Sequence, residues 1–411
     1  MHTVKNFSWH FQEKIASLCG IIENFMFRRF KNKIKRIFRR LRIPAQRKIV
    51  NLMPDGEVRG NVLLAYIIDP FLGKDGAAID NKHTHYWESF QIAQTFLNHH
   101  YSVDVISYLN RTFTPKKNYD YFISARTNLE RIANRLNDDC IKVAHLDTAH
   151  WVYNNKAAYD RLSSLLERRG VVLNGGKNVE ENWAVEAADV ATILGNKFTR
   201  ETYAYSKIPV YHIPISAPCT YPWDTEKNFD NCRRNYLWFG SSGFVHKGLD
   251  IVLDTFAQMP DYNLVVCGPL GQEKRFVDTY RKELYDTPNI NTIGWVDVES
   301  SEFIEIARNC IGLAYPTCSE GGGGSAITCM HAGIIPILSN EASVDLNDNC
   351  GILLKESSDQ ELKKAIITLS DLPTNKLEEL AYNSWSFANN NHTRERFADE
   401  YDKFVSEILP K

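Results

Sequence analysis

The feature that most constrains this chain is a rhythm that runs, stops and starts again. From residue 58 onward, short apolar runs alternate with helical patterns. The strand-like runs are "NVLLAYII" (61–68), "SVDVISYL" (102–109), "YDYFISA" (119–125), "IKVAHLD" (141–147), "GVVLNG" (170–175), "VATILG" (190–195) and "VYHIPI" (210–215). Between the first two lies "YWESFQIAQTFLNHH", whose apolar residues recur at helical spacing. Then "SAPCTYPWDTEKNFDNCRR" (216–234), polar and with two prolines, interrupts the pattern. Alternation resumes at "NYLWFG" and carries on through "YNLVVCG", "INTIGW", "IGLAYP" and "IIPILS", with helical stretches between them. Two of these stretches are "GLDIVLDTFAQM" and "EKRFVDTYRKELYD". Strand–helix alternation with apolar, β-branched strands implies a parallel sheet covered on both faces.

The expectation is therefore an α/β protein of two Rossmann-like, doubly wound domains facing a cleft. They span 58–215 and 235–385, joined by the linker 216–234 and followed by a C-terminal helix over 386–411. At 411 residues the chain is too long for one hydrophobic core, which agrees.

The first 48 residues differ in kind. Residues 1–50 hold thirteen Lys/Arg and two Glu, a net of +11, so the remainder carries −2 − 11 = −13. Within "FRRFKNKIKRIFRRLR" (27–42), Phe27, Phe30, Ile34, Ile37, Phe38 and Leu41 fall on one helical stripe among cations. Such a helix suits an anionic membrane surface, apolar face down. A helix packed on the body of the protein and a nucleic-acid contact are the alternatives; the phenylalanines favour lipid over nucleic acid. No run of about 18 uncharged apolar residues exists, so no membrane-spanning helix is expected. Nine cysteines without a C-x-x-C pair argue against a disulfide framework or zinc, and for a reduced cytoplasmic setting.

Glycine and charge collect at the strand ends of the second half. "FGSSG" supplies Gly240, Ser242 and Gly243, and Lys247 opens the next helix. Gly268 ends the second strand, and Gly294 with Val296 ends the third. The stretch "PTCSEGGGGSAITCMHAG" places Glu320 before Gly321, Gly322, Gly323 and Gly324. Glycine loops before helices expose amide N–H groups at the positive end of a dipole, which suits a phosphate. Neither G-x-x-x-x-G-K-[ST] nor G-x-G-x-x-G is present.

These motifs, in this order and spacing, resemble the nucleotide-sugar-binding domain of family 4 glycosyltransferases. The resemblance implies a GT-B fold and retaining, metal-independent transfer of a sugar from a UDP or GDP donor to a glycan or lipid-linked acceptor. It implies no cofactor and no metal, and a place in cell-surface polysaccharide or glycolipid synthesis; the basic head adds the inner membrane face and no nucleic-acid partner. Lys247 resembles the lysine on the donor diphosphate, and Glu320 the first acid of the family's Glu-x7-Glu motif. The loop glycines face sugar and phosphate, and Gly294 to Val296 lie by the base. Two positions depart: Ser242 stands where the family has arginine, and Thr328 where it has the second glutamate. A non-catalytic sugar-nucleotide-binding protein and a GT-B epimerase are the alternatives.

On the acceptor side, "NKHTHYWES" offers His83, His85 and Tyr86, and "VAHLDTAHW" offers His145, Asp147 and His150. The family's strand-end histidine falls at His150 or His145, with His145 inside the strand pattern itself.

Overall fold

The computed structural model describes residues 46–73, 79–81, 83–173, 177–347 and 349–409. The basic stretch 27–42 lies outside the described residues, as does the end of the run 170–175. Among the described residues no helix is long and apolar enough to cross a membrane.

The first half builds a seven-stranded sheet in the order β1-β3-β2-β4-β5-β6-β7. Its strands are β1 (Ile49–Leu52), β2 (Gly60–Tyr66), β3 (Tyr101–Ser107), β4 (Tyr121–Ser124), β5 (Ile141–Leu146), β6 (Val190–Ile193) and β7 (Val210–His212). The second half builds a six-stranded sheet in the order β10-β9-β8-β11-β12-β13. These are β8 (Asn235–Phe239), β9 (Asn263–Cys267), β10 (Ile290–Gly294), β11 (Gly312–Tyr315), β12 (Ile335–Ser339) and β13 (Ile352–Leu354). β2 runs parallel to β3 and β4, and β8 to β9 and β11. The central strands β3, β4, β11 and β12 are buried along their whole length. β11 and β12 accordingly read as continuous apolar runs, whereas β3 alternates Val103 and Val105 with the buried Ser102 and Asp104.

Both sheets reverse their winding in the middle, at β2/β4 and at β8/β11. Such switch points open a crevice at the carboxyl ends of the strands. The loops after β8 and β11 carry Lys247 and Glu320, so the topology brings these two residues together. The last helix, Arg394–Ile408, crosses back to the first sheet. Phe397 packs edge-on against Trp87 at 5.8 Å and Phe404 lies 5.1 Å from Tyr211, while Tyr121 donates to the Ile408 carbonyl.

Three expected elements differ. The expected C-terminal helix 386–411 is the end of one helix, Thr374–Asn391, and a second helix, Arg394–Ile408. Val171–Leu173 form no strand. Gly170, at φ 66°, ends the helix Trp151–Arg169, and the Val172 carbonyl then accepts from Arg275 of the second half instead of a neighbouring strand. The expected helix 273–286 is two pieces, Lys274–Thr279 and Arg281–Tyr285. At the break the buried Tyr280 ring stacks on Phe276 at 4.8 Å, and the Arg169 guanidinium lies 4.6 Å from its centre.

The turn from β8 into the helix Leu249–Phe256 depends on Gly248. Its φ is +74°, and a Cβ there would stand 2.4 Å from the Pro316 carbonyl oxygen. Left-handed strain costs about 1–3 kcal/mol, and the clash with a backbone atom adds to it. Gly248→Ala should therefore lower the thermal midpoint by roughly 5 °C or more. Gly271→Ala, whose Cβ would meet nothing within 4 Å, should leave it unchanged.

Candidate active site

Lys247 is buried at the floor of the crevice, 3% exposed. Its Nζ donates to the Tyr315 hydroxyl at 2.7 Å and forms an ion pair with Glu320 Oε1. Tyr315, the last residue of β11, donates to the same oxygen at 2.9 Å, and Thr317 Oγ1 does so at 3.3 Å. Three donors thus converge on Oε1. Burial would push the Glu320 carboxyl up, but the charges of Lys247 and Lys177 outweigh it and hold it at about 2. Glu320 is a carboxylate at any physiological pH, able to accept hydrogen bonds from hydroxyls and unable to donate a proton.

The loop beneath Glu320 is pinned from three sides. His246 Nε2 meets the Ser319 carbonyl at 2.5 Å, Cys318 N donates to the His246 carbonyl at 2.8 Å, and Ser343 Oγ donates to the Glu320 carbonyl at 2.6 Å. Burial lowers the His246 imidazole to about 4, so it serves as a neutral clamp.

The glycines bend the chain against the first half. A Cβ on Gly321 would stand 1.9 Å from the Asp147 carbonyl oxygen and 2.8 Å from Thr148 Cα. One on Gly322 would meet Ile215, and one on Gly323, at φ +70°, would stand 2.4 Å from the Ala342 carbonyl oxygen. Gly324 then opens the helix Gly324–His331. Inside that helix Thr328, 3% exposed, donates its hydroxyl proton back to the Gly324 carbonyl at 2.8 Å. The Thr328 hydroxyl is therefore already bonded within its own helix.

After β8, Gly240 packs on Gly268: a Cβ on Gly268 would stand 2.8 Å from the Gly240 carbonyl oxygen. The Gly243 amide donates to the Glu273 carboxylate, which Phe244 N also approaches at 3.3 Å. The amide expected for an anionic ligand is thus held by an internal carboxylate. Ser242 is the neighbouring residue and brings no charge. Beyond it a shallow cavity of about 390 Å³ opens at the ends of β9 and β10, lined by Gly268, Gln272, Tyr285, Gly294 and Trp295 among others. Val296, expected here, is buried in the core, whereas Trp295 is 54% exposed and faces the cavity. The bend at Gly294, φ +99°, turns Trp295 outward.

On the first half, Asp147 lies against the glycine loop through its own backbone. Arg126 grips its carboxylate with two bonds, Nε to Oδ1 at 3.0 Å and Nη2 to Oδ2 at 2.9 Å. Burial would raise the Asp147 acid; Arg126 and His85 outweigh it and keep it ionised. Arg126 itself sits at φ 63°, a conformation rare for arginine. His85 Nδ1 meets Glu88 Oε2 at 2.6 Å, and Glu88 Oε1 accepts from the Ser216 amide and hydroxyl. Against the effect of burial, Glu88 raises the His85 imidazole above its ordinary range. His83 caps the helix Thr84–Asn98, its Nδ1 accepting from His85 N at 3.3 Å, and burial lowers it to about 3. The Tyr86 ring stacks on His83 at 5.9 Å.

The two histidines considered for the strand end have different surroundings. His145 lies within β5, 1% exposed, its Nδ1 bonded to Thr192 Oγ1 at 2.8 Å and its ring edge-on to Tyr66 at 5.0 Å. His150 caps the helix Trp151–Arg169 through Nδ1, and its Nε2 meets the Tyr205 hydroxyl at 3.2 Å. Tyr205 in turn donates to Glu186. Both ring nitrogens of His150 therefore have protein partners.

Sequence reasoning missed Tyr315, Arg126, Glu273 and Lys177. Tyr315 and Arg126 carry the signal used elsewhere, a polar group at the end of a strand. Among the described residues no group of three or more His, Cys, Asp or Glu is placed to hold a metal ion.

Residues 224–386 match the family model of glycosyl transferases group 1. That match ends at the second half and includes Lys247, Glu320 and the glycine loop. Solved structures extend the likeness over both sheets. Anabaena Alr3699/HepE in complex with UDP-glucose is 14% identical, with a TM-score of 0.54 over 85% of this chain and 100% of its own. Sucrose-phosphate synthase from Thermosynechococcus elongatus is 15% identical, with a TM-score of 0.59 over 85% and 99%. TarM of S. aureus is 8% identical, with a TM-score of 0.51 over 70% of this chain; the chain spans 54% of TarM's length. At these identities the likeness shows the fold, which is GT-B. No curated protein matches the sequence.

Proposed function

We propose that this protein is a glycosyltransferase that takes its sugar from a nucleoside diphosphate donor. The observation that carries this reading is the Lys247–Tyr315–Glu320 cluster at the switch point of the second sheet, under a glycine loop. A lysine buried beside a cleft suits the charge that develops on a departing diphosphate. A carboxylate held ionised suits the hydroxyls of the sugar. The slot lined by Trp295 and Tyr285 suits a flat base. The match to glycosyl transferases group 1 falls on these same residues, and the similar Anabaena protein was solved with UDP-glucose. A UDP-sugar is therefore the first donor to try.

The first half supplies the acceptor side, where Asp147, His83, His85 and Tyr86 edge the crevice opposite Glu320. Transfer proceeds with retention and without a divalent ion, Lys247 taking the cation's place, and the acceptor is a glycan or a lipid-linked sugar. The basic stretch 27–42 then holds the enzyme at an anionic membrane face. These four points rest on the family resemblance and on the charge pattern of the sequence.

Thermal unfolding in the presence of UDP, GDP and ADP tests the donor site. A ligand at one hundred times its dissociation constant stabilises by about 2.7 kcal/mol. UDP should raise the unfolding midpoint, and the rise should persist in EDTA. No shift with any of the three nucleotides, or a shift that requires a divalent ion, would contradict the reading.

A further inference from the structure

Lys177 belongs to the first half, yet its side chain reaches the loop after β8 in the second. Its Nζ donates to Ser241 Oγ at 3.1 Å, and its stem lies over Gly243, where an added Cβ would stand 2.9 Å from Lys177 Cγ. The backbone is fixed from behind: Asn154 Nδ2 donates to the Lys177 carbonyl at 2.8 Å, and Asn155 holds both the amide and the carbonyl of Val179. Among the described residues its recorded ammonium partner is a hydroxyl, a neutral group. The side chain stays accessible to solvent.

Lys247 flanks the same loop, where a Cβ on Gly240 would stand 3.2 Å from Lys247 Cδ. The Lys247 charge lowers the Lys177 ammonium to about 8. Two ammonium groups from opposite halves thus face one crevice, and Glu320 is already engaged by Lys247. A group with two or more negative charges would relieve the repulsion. A diphosphate has that charge and enough oxygens to reach both nitrogens. Gly243, at φ +93°, leaves room for the lysine to cross.

We propose that Lys177 is the second cation on the donor diphosphate, supplied across the cleft, so that the diphosphate itself ties the two halves together. This rests on the reading of the crevice as a nucleoside diphosphate site. It also answers the absence of charge at Ser242: the cation comes from the opposite wall. Binding an anion favours the protonated lysine, so affinity should decline as pH rises through about 8. The other groups that feel Lys177 are Lys247, Glu320, Arg126, Glu273, His83 and His246. Glu320 at about 2, His83 at about 3 and His246 at about 4 have finished titrating well below that range.

The test is calorimetric titration of the full chain with UDP, inorganic pyrophosphate and uridine, for wild type, Lys177→Gln and Lys177→Arg, between pH 6.5 and 9. The expected result is at least a tenfold loss of UDP and pyrophosphate affinity in Lys177→Gln at pH 7, with uridine unaffected. Lys177→Arg should recover most of the loss, and the decline near pH 8 should be absent from Lys177→Gln. Equal UDP affinity and the same pH profile in wild type and Lys177→Gln would overturn this inference alone. A wild type that binds neither UDP nor pyrophosphate would overturn it together with the reading it rests on.

Discussion

Lys247→Ala should lower turnover about 10²–10³-fold, a loss of roughly 2.7–4 kcal/mol of transition-state stabilisation. The ammonium is buried, bonded to Tyr315 and paired with Glu320. Part of the effect could come from stability, because removing one member of a buried pair leaves the other unpaired. The pH dependence separates the two. Glu320 is held at about 2 against an ordinary value of 4.5. The pair's contribution is thus complete above about pH 4.5 and is lost as pH falls toward 2. Lys247→Ala should move the acid-unfolding midpoint upward while leaving the protein folded at pH 7. The double variant Lys247→Met with Glu320→Gln removes both charges and should recover acid stability without recovering turnover. Steady-state kinetics with the best donor, beside acid titration by circular dichroism, checks both. Near-normal turnover in folded Lys247→Ala would remove Lys247 from the mechanism.

Gly321→Ala should have an effect of similar size for a different reason. Its Cβ would collide with backbone atoms of the opposite half, the Asp147 carbonyl oxygen at 1.9 Å and carbon at 2.4 Å. Backbone cannot swing aside as a side chain does, so the glycine loop and the end of β5 must separate by about 1 Å or more. A displacement of that size at a reacting centre can cost about 10²-fold. The site would be intact on each half and assembled on neither. The expected result is a loss in kcat of about that factor, with UDP binding to the second half weakened less. Gly324→Ala is the control for assembly of the two halves: its Cβ would meet nothing closer than 3.5 Å, so the thermal midpoint should stay unchanged.

Much of this architecture was legible because buried parallel strands announce themselves. The run "NVLLAYII" holds all of β2 but its first residue, Gly60, and the last five residues of that strand are buried. Two of the four edge strands, β1 and β13, are not legible for the same physical reason, whereas β7 and β10 fall within the runs "VYHIPI" and "INTIGW". β1 has alternate exposed and half-buried residues over four positions, and β13 is three residues long. Neither has enough apolar length to stand out. The run 170–175 looks like a strand because it is apolar, but its Val172 carbonyl accepts from Arg275 of the second half, a contact no local pattern contains. The site divides likewise. Lys247 and Glu320 follow strands that the sequence marks, and the switch point brings them together. Lys177 follows no such strand; it matters because its backbone is fixed where its side chain can cross to the other half. His145 and His150 could not be separated by spacing, since the distinction lies in Thr192 and Tyr205, both distant in sequence.

The most direct test of the central claim is to incubate the full-length protein with sugar-labelled UDP donors and a mixture of glycan and lipid-linked acceptors, in EDTA, and to separate the products. The account expects free UDP and labelled sugar joined to an acceptor, both lost in Lys247→Ala. Recovery of an epimerised nucleotide sugar, or of unchanged donor alone across UDP and GDP sugars, would contradict it.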